Sequence, residues 1–245
     1  TRRSSDLCHC RYVHIGTGNY HPGNARAYTD LGLMTAHPGI GSDMHQIFMQ
    51  LSGLAPAIEL NHLLQSPFSL HPGVLARIER EAAHALAGRP ARIVAKMNAL
   101  NEPQVIRALY AASQAGVRID LFVRGACTLR PQVPGVSENI RVFSIVGRFL
   151  EHHRVYWFGN DGRPELFGAS ADWLERNLLR RVETAFPILD PAVSRRVHAE
   201  VLDNYLADNV DAWELQPDGS YERRKPGDGE EPHSAQMWLL ARLCG

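Results

Sequence analysis

Two stretches carry side chains that could act on a phosphate. HIGTGNYHPGNARAYTD, residues 14–30, sets His14 before a Gly16-Thr17-Gly18-Asn19 turn and runs through Arg26 and Tyr28 to Asp30. RFLEHHRVYWFGN, residues 148–160, offers His152 with Arg154 two positions on, and a second small-residue turn, GASAD, follows at 168–172. Turns of Gly, Ser and Ala let backbone N–H groups approach an anion with no Cβ in the way. A His-x-Arg pair on a strand presents both side chains on one face, because side chains repeat every two residues. A histidine beside an arginine and an anion loop can serve as a phosphate nucleophile, a general acid or a hydrogen-bond donor.

The two turns belong to an internal repeat. Asn19-Tyr20 and Asp172-Trp173 each follow a small-residue triplet, GTG at 16–18 and ASA at 169–171. In register behind them come Asn24 and Asn177, the acids Asp30 and Glu183, and the prolines Pro38 and Pro191. Ser170 takes the place of Thr17 by position. Two similar half-sites are therefore expected to face each other across one polyanion pocket lined by Arg26, Arg124, Arg176 and Arg180. The helix expected after each turn would point its positive N-terminal end at that pocket. The second copy has no histidine at the position of His14. That moves the weight to the loop and to Tyr28, and leaves His14 as a strand residue shaping the turn.

The elements that must hold these loops can be read from periodicity. SDMHQIFMQL reads as a helix with Ser42 as N-cap, and residues 54–73, broken by Pro56, Pro67 and Pro72, read as a linker. GVLARIEREAAHALAG (73–88) has apolar residues at helical spacing and Gly88 as a stop. ARIVAKM (91–97), NEPQVIRALYAASQAG (101–116) and VRIDLFVRG (117–125) form a strand, helix and strand, the signature of a mostly parallel sheet. Further strands are expected at 141–147, 154–159 and 165–170, a helix after Pro191, a polar surface loop over 216–232 and a closing helix in SAQMWLLARLC. The fold class is α/β.

Composition narrows the function. Lys plus Arg and Asp plus Glu balance at 26 each, so no global basic field points to nucleic acid, and any anion site must be local. Hydrophobic content of 44% fits a globular protein, yet no apolar run approaches the roughly 18 residues of a membrane span, and residues 1–12 lack the apolar core of a signal peptide. Cys8, Cys10, Cys127 and Cys244 have no metal-ligand spacing, and read as free, mostly buried thiols of a reducing cytosol. No metal site is expected within the chain. A chain that runs from Thr1 almost straight into a motif looks cut from something longer.

HIGTGNY, ARAYTDLGLMTA, LFVRGACTLRPQVPGVSENIRVFSIVGRFLEHHRVYWFGN and ASADWLERNLLRRVETAFPILDP together resemble the C-terminal half of type 1 polyphosphate kinases, members of the phospholipase D-like superfamily. The resemblance implies a mixed sheet flanked by helices, with residues 1–62 ending one phospholipase D-like domain and 63–245 forming a second, complete one. It also implies reversible transfer of the terminal phosphate of ATP onto inorganic polyphosphate, with Mg²⁺, through a phosphohistidine. Nucleotide contacts fall on Tyr28, Arg124 and His152, with His152 also catalytic. The phosphate loops are Gly16, Thr17, Gly18 and Asn19 with Ser170 and Asp172, supported by Arg26, Asp30, Arg154, Arg176, Asn177 and Glu183. The implied partners are ATP or ADP, polyphosphate and, in the full-length protein, further copies of itself. The implied compartment is the cytoplasm, with peripheral attachment to the inner face of the membrane left open.

One departure matters. In the family the phosphorylated histidine lies in a His-x-Lys strand preceding the HIGTGN segment, as do the Mg²⁺ ligands, and this chain begins after that strand. His9-Cys10-Arg11 imitates the motif but lies too close to His14 to leave room for a strand and turn, and reads as coincidence. The chain alone is expected to have negligible kinase activity. Two other functions stay open: a polyphosphate- or nucleotide-binding module without chemistry, and a phospholipase D-type phosphodiesterase using one histidine per chain.

Overall fold

Near-continuous apolar runs build the centre of the molecule, because a strand covered on both faces has no polar side to show. The structure, a computed structural model, describes residues 10–57 and 59–244. It opens with β1 (Val13–Gly16), β2 (Tyr28–Thr29), β3 (Gly32–Thr35) and α1 (Pro38–Leu51). Then come β4 (Leu64–Ser66), α2 (Leu70–Leu86), β5 (Arg92–Met97), α3 (Pro103–Gln114), β6 (Arg118–Val123) and β7 (Ile140–Ile145). The short β8 (Leu150–Glu151) precedes β9 (Arg154–Phe158), β10 (Glu165–Ala169), α4 (Glu175–Leu179) and β11 (Glu183–Pro187). Next, α5 (Pro191–Val197) runs through a π-helical turn, His198–Asp203, into α6 (Asn204–Leu206). The chain closes with β12 (Ala212–Leu215), β13 (Tyr221–Arg223) and α7 (Ala235–Leu243).

Nine strands form one mixed sheet in the order β13-β12-β7-β6-β5-β9-β10-β11-β4. The β5–α3–β6 unit is the parallel crossover expected from its strand, helix, strand pattern, and β7 extends the parallel run. The remaining neighbours pair antiparallel. One face packs on α2 and α3 through Ile93, Ile119, Leu109 and Val74, all essentially inaccessible. The other packs Val94, Phe122 and Phe143 against Val201, Leu202 and Tyr205 of the segment after Pro191. Burying each such side chain contributes about 1.5–3 kcal/mol.

The repeat is structural as well as sequential. β1 pairs antiparallel with β3, matching Gly16 with Gly32 and Ile15 with Leu33. β10 pairs antiparallel with β11, matching Ala169 with Ala185 and Gly168 with Phe186, the same places in the second copy. Pro38 and Pro191 both occupy the first turn of the helix that follows. Proline suits that position because its missing N–H would have no partner there in any case.

Several boundaries differ from the sequence reading. The first helix starts at Pro38, capped by His37 Nδ1 accepting from Ile40 N at 3.3 Å, so Ser42 lies inside it. The segment 54–73 holds β4 and the start of α2, because Leu63 and Gln65 are buried against the second hairpin. The tail 216–232 contains β13, which zips onto β12. The turns are followed by a three-residue 3₁₀ segment, Asn24–Arg26, and by the five-residue α4, neither long enough to project the expected dipole. Cys10 and Cys244 are exposed rather than buried, while Cys8 and His9 lie outside the described residues.

Candidate functional site

Each hairpin ends in a hydroxyl that clamps an acid. Thr17 donates to Asp30 at 2.7 Å, accepts from Leu31 N at 3.0 Å, and its own N–H bonds Leu31 O at 2.9 Å. Ser170 repeats the pattern, donating to Glu183 at 2.5 Å, accepting from Thr184 N at 3.1 Å and bonding Thr184 O through its N–H at 2.9 Å. Gly18 is required by close approach: a Cβ there would run into the Asp30 carboxylate. Ala171 holds the matching place in the second copy, where the acid is the longer Glu183.

The two clamps face one polar pocket of about 290 Å³. Gly16, Thr17, Gly18 and Asn19 line it from one side, Ser170, Asp172, Arg176, Asn177 and Glu183 from the other, with His152, Arg154 and Arg181 completing the wall. Buried Arg154 ties the loops together. Its Nε and Nη2 donate to the two Asp172 oxygens at 3.1 Å each, and its Nη1 donates to Thr17 O at 2.8 Å. The same Nη1 lies 3.2 Å from His152 Nε2. The same contact extends to Nδ1 at 3.5 Å, so it selects neither nitrogen; the proton is placed on Nδ1 by the Asp30 carboxylate, which can only accept, and Nε2 keeps its lone pair. Nδ1 is 2.9 Å from both oxygens of Asp30. Burial alone would raise the Asp30 carboxyl. The hydrogen bonds of His152 and Thr17 outweigh it and hold it below the usual range. The histidine of the second copy is thus held by the acid of the first.

The family pattern described as "Polyphosphate kinase C-terminal domain 2" matches residues 63–236, and "Polyphosphate kinase C-terminal domain 1" matches residues 1–57. The chain belongs to the polyphosphate kinase family. It is 69% identical over 233 residues to a polyphosphate kinase of Xylella fastidiosa, a match covering 95% of this chain and 33% of that protein. It is 58% identical over 234 residues to one of Burkholderia multivorans, covering 96% of this chain and 34% of that protein. The crystal structure of polyphosphate kinase from Porphyromonas gingivalis superposes with a TM-score of 0.90 at 38% identity, over 96% of this chain and 36% of that one. The chain spans about a third of the length of the curated relatives it matches.

Within this member of the family, the residues singled out from sequence fall into two groups. Tyr28 comes to the pocket edge, its ring centroid 5.0 Å from that of His152. Arg124 reaches the same region, its Nε donating to Asn98 at 2.6 Å, and burial pushes its guanidinium below its ordinary value. Asn177 supports Glu183 at 2.8 Å, whereas its counterpart Asn24 sits in the 3₁₀ segment beyond the pocket. Of the four arginines expected to line the pocket only Arg176 does, Arg124 being held on Asn98 outside its wall. Arg26 projects from the exposed 3₁₀ segment, and Arg180 turns to Glu175 at 2.6 Å, so that Arg181 takes its place on the pocket wall. His14 is a β1 residue bonded to the Tyr20 hydroxyl at 2.7 Å, which fixes the turn.

Asn98 escaped the sequence reading. It sits just past β5 and is buried. Its N–H and its Nδ2 donate to Asp172 at 2.7 and 3.0 Å, Nδ2 also reaches His152 O at 3.3 Å, and Oδ1 holds Arg124. Behind His152 lies a second unread group. Glu151 accepts from Lys96, from Tyr205 at 3.0 Å, from Gln236 at 2.5 Å and from Thr29 at 3.1 Å. Burial opposes its charge, but Lys96 and the other donors keep its carboxyl well below the usual range. Burial and Lys96 likewise press His153 down, so that it stays neutral. Among the described residues no cluster of three or more His, Cys, Asp or Glu could hold a metal ion. The pocket carboxylates Asp172 and Glu183, and Asp30 beside them on His152, are all engaged within the protein, so they do not fit a Mg²⁺ site. Among the described residues no helix is long and apolar enough to cross a membrane.

Proposed function

We propose that this chain is the nucleotide- and polyphosphate-handling end of an ATP–polyphosphate phosphotransferase that works through a phosphohistidine. The observation that carries the reading is the pairing of His152 with Asp30 across two superimposable clamps that share one pocket. Arg176 and Arg181 line that pocket with no carboxylate partner of their own among the described residues and can meet a polyanion, while Arg124 keeps its remaining N–H groups for phosphate oxygens. His152, protonated on Nδ1 and held by Asp30, can take up a proton at Nε2 and return it to a phosphate oxygen as the bridging P–O bond breaks. Tyr28 offers a ring face to the nucleotide.

The same symmetry supports an acceptor histidine outside this chain. Asp30 of the first clamp holds the histidine of the second copy, so Glu183 is the counterpart suited to a histidine preceding the first. The domain division proposed is residues 1–62 as the end of one domain and 63–245 as a second. It is supported by the two family patterns and by the β1–β3 hairpin, whose outer edges pair with no strand among the described residues, whereas β10–β11 is flanked by β9 and β4. Mg²⁺ would enter with ATP or from other parts of the protein, and assembly of the full-length protein into a homo-oligomer belongs to the same reading.

Titration with labelled polyphosphate and with ATP tests it. Weak binding by the chain, reduced about tenfold in Arg124→Ala, is expected. Joining the chain to the preceding region of a relative should restore ATP-dependent polyphosphate synthesis, abolished in His152→Ala. Robust synthesis by the chain alone would refute an external acceptor. A joined protein that binds polyphosphate without forming phosphohistidine would leave only a binding module.

A further inference from the structure

The grip of Asp30 on His152 depends on how the segment carrying Asp30 is held, and the structure shows one side chain at that point. β2 and β8 run parallel, with Tyr28 opposite Leu150 and Thr29 opposite Glu151. Leu150 N donates to Ala27 O at 2.7 Å at the start of the pair. At the end of this short ladder the Thr29 hydroxyl adds contacts of its own. Thr29 Oγ1 donates to buried Glu151 Oε2 at 3.1 Å and accepts from His152 N at 3.2 Å; it also accepts at 2.9 Å from His153 Nδ1, which is the donor because the carbonyl of Thr29, 3.4 Å from the same nitrogen, can only accept. One proton and two lone pairs are all a hydroxyl has, so this one is fully committed and its orientation is fixed. Glu151 cannot drift, because Lys96, Tyr205 and Gln236 saturate it from β5, α6 and α7.

We propose that Thr29 is a positioning residue for the reaction: its hydroxyl, anchored on Glu151, locks the peptide of His152 and so keeps Asp30 on the imidazole Nδ1. The inference rests on the catalytic reading of His152, but its geometry does not require a bound substrate. Asp30 is the next residue in the chain, so a shift of Thr29 is passed directly to the carboxylate. The loss of this anchor frees His152 to take either tautomer, and the Nε2 lone pair would no longer be reserved for the pocket.

Imidazole ¹⁵N shifts and amide exchange in the whole chain test the proposal without nucleotide. In the wild type, His152 should show the Nδ1–H tautomer. Its backbone N–H, although outside a strand, should exchange slowly. Thr29→Val keeps the volume and removes the hydroxyl. It should speed exchange of the His152 amide by up to about tenfold, the scale of one hydrogen bond, and mix the tautomers, while Thr29→Ser restores both signatures. Unchanged signatures in Thr29→Val would overturn the proposal. Should that variant fail to fold, a freely exchanging His152 amide in the wild type overturns it equally. A chain that shows these signatures yet binds no nucleotide would sink the functional reading and leave the positioning role standing.

Discussion

The two clamps share a backbone and differ in what they clamp. In the first, Asp30 is short, Gly18 leaves room for it, and its outer side holds an imidazole. In the second, the longer Glu183 is matched with Ala171 in place of the glycine, and its outer side holds the Asn177 amide instead. The first hairpin stands apart from the nine-stranded sheet and the second lies inside it. A duplicated turn can therefore keep its hydroxyl–acid bond while the acid takes a different partner. The shared part is structure, and the differing part is where chemistry enters.

The comparison can be broken most severely at Arg154, which bridges the copies. Arg154→Ala leaves Asp172 buried with its charge unmatched. It should cost about 3–5 kcal/mol, read as a fall of roughly 10 °C or more in a thermal melt. A loss under about 1 kcal/mol would mean the loops hold each other by other contacts. Next comes the glycine asymmetry. Gly18→Ala should cost about 1–3 kcal/mol by forcing Asp30 aside, with loss of the His152–Asp30 contact visible by NMR, whereas Ala171→Gly should leave that contact intact. Equal effects at the two sites would show that the two acids are not fitted to their turns. Smaller still, Ser170→Ala removes one side-chain hydrogen bond and leaves the Thr184 amide short of a partner, about 1–2 kcal/mol by denaturant titration.

The smallest effect is on pH. The folded-state pKa of Asp30 is depressed, so its contribution is present above the unfolded value, about 3.9, and is lost as pH falls through the folded value. Asp30→Asn should flatten the acid limb of the stability curve slightly, the effect being muted by solvent around a partly exposed group. An acid limb that is unchanged would place the proton-linked stability elsewhere, with Glu151 the first candidate.

The repeat was legible because its marks are local: a small-residue turn, an acid and a proline at fixed spacing in one stretch of chain. The expectation that both copies line one pocket held for that reason, and so did the parallel unit around α3. Asn98, Thr29 and Glu151 were not legible, since their meaning comes from partners on other elements brought near only by folding. Arg180 and Arg181 are adjacent in sequence but sit at the end of a single helical turn, where one step swings a side chain by about 100°, and no periodicity decides between them. Ser42 looked like a cap by residue preference, while Pro38, a first-turn residue by geometry, was the better guide.

The cross-held histidine also has a hereditary consequence. Once the acid of one copy serves the imidazole of the other, neither copy can drift alone, because a lesion in the first is expressed as a defect in the second. Duplicated genes ordinarily free one member to diverge. Here the crossed contact binds the pair into one selectable unit, and it predicts that substitutions at position 30 will track those at position 152 along the lineage.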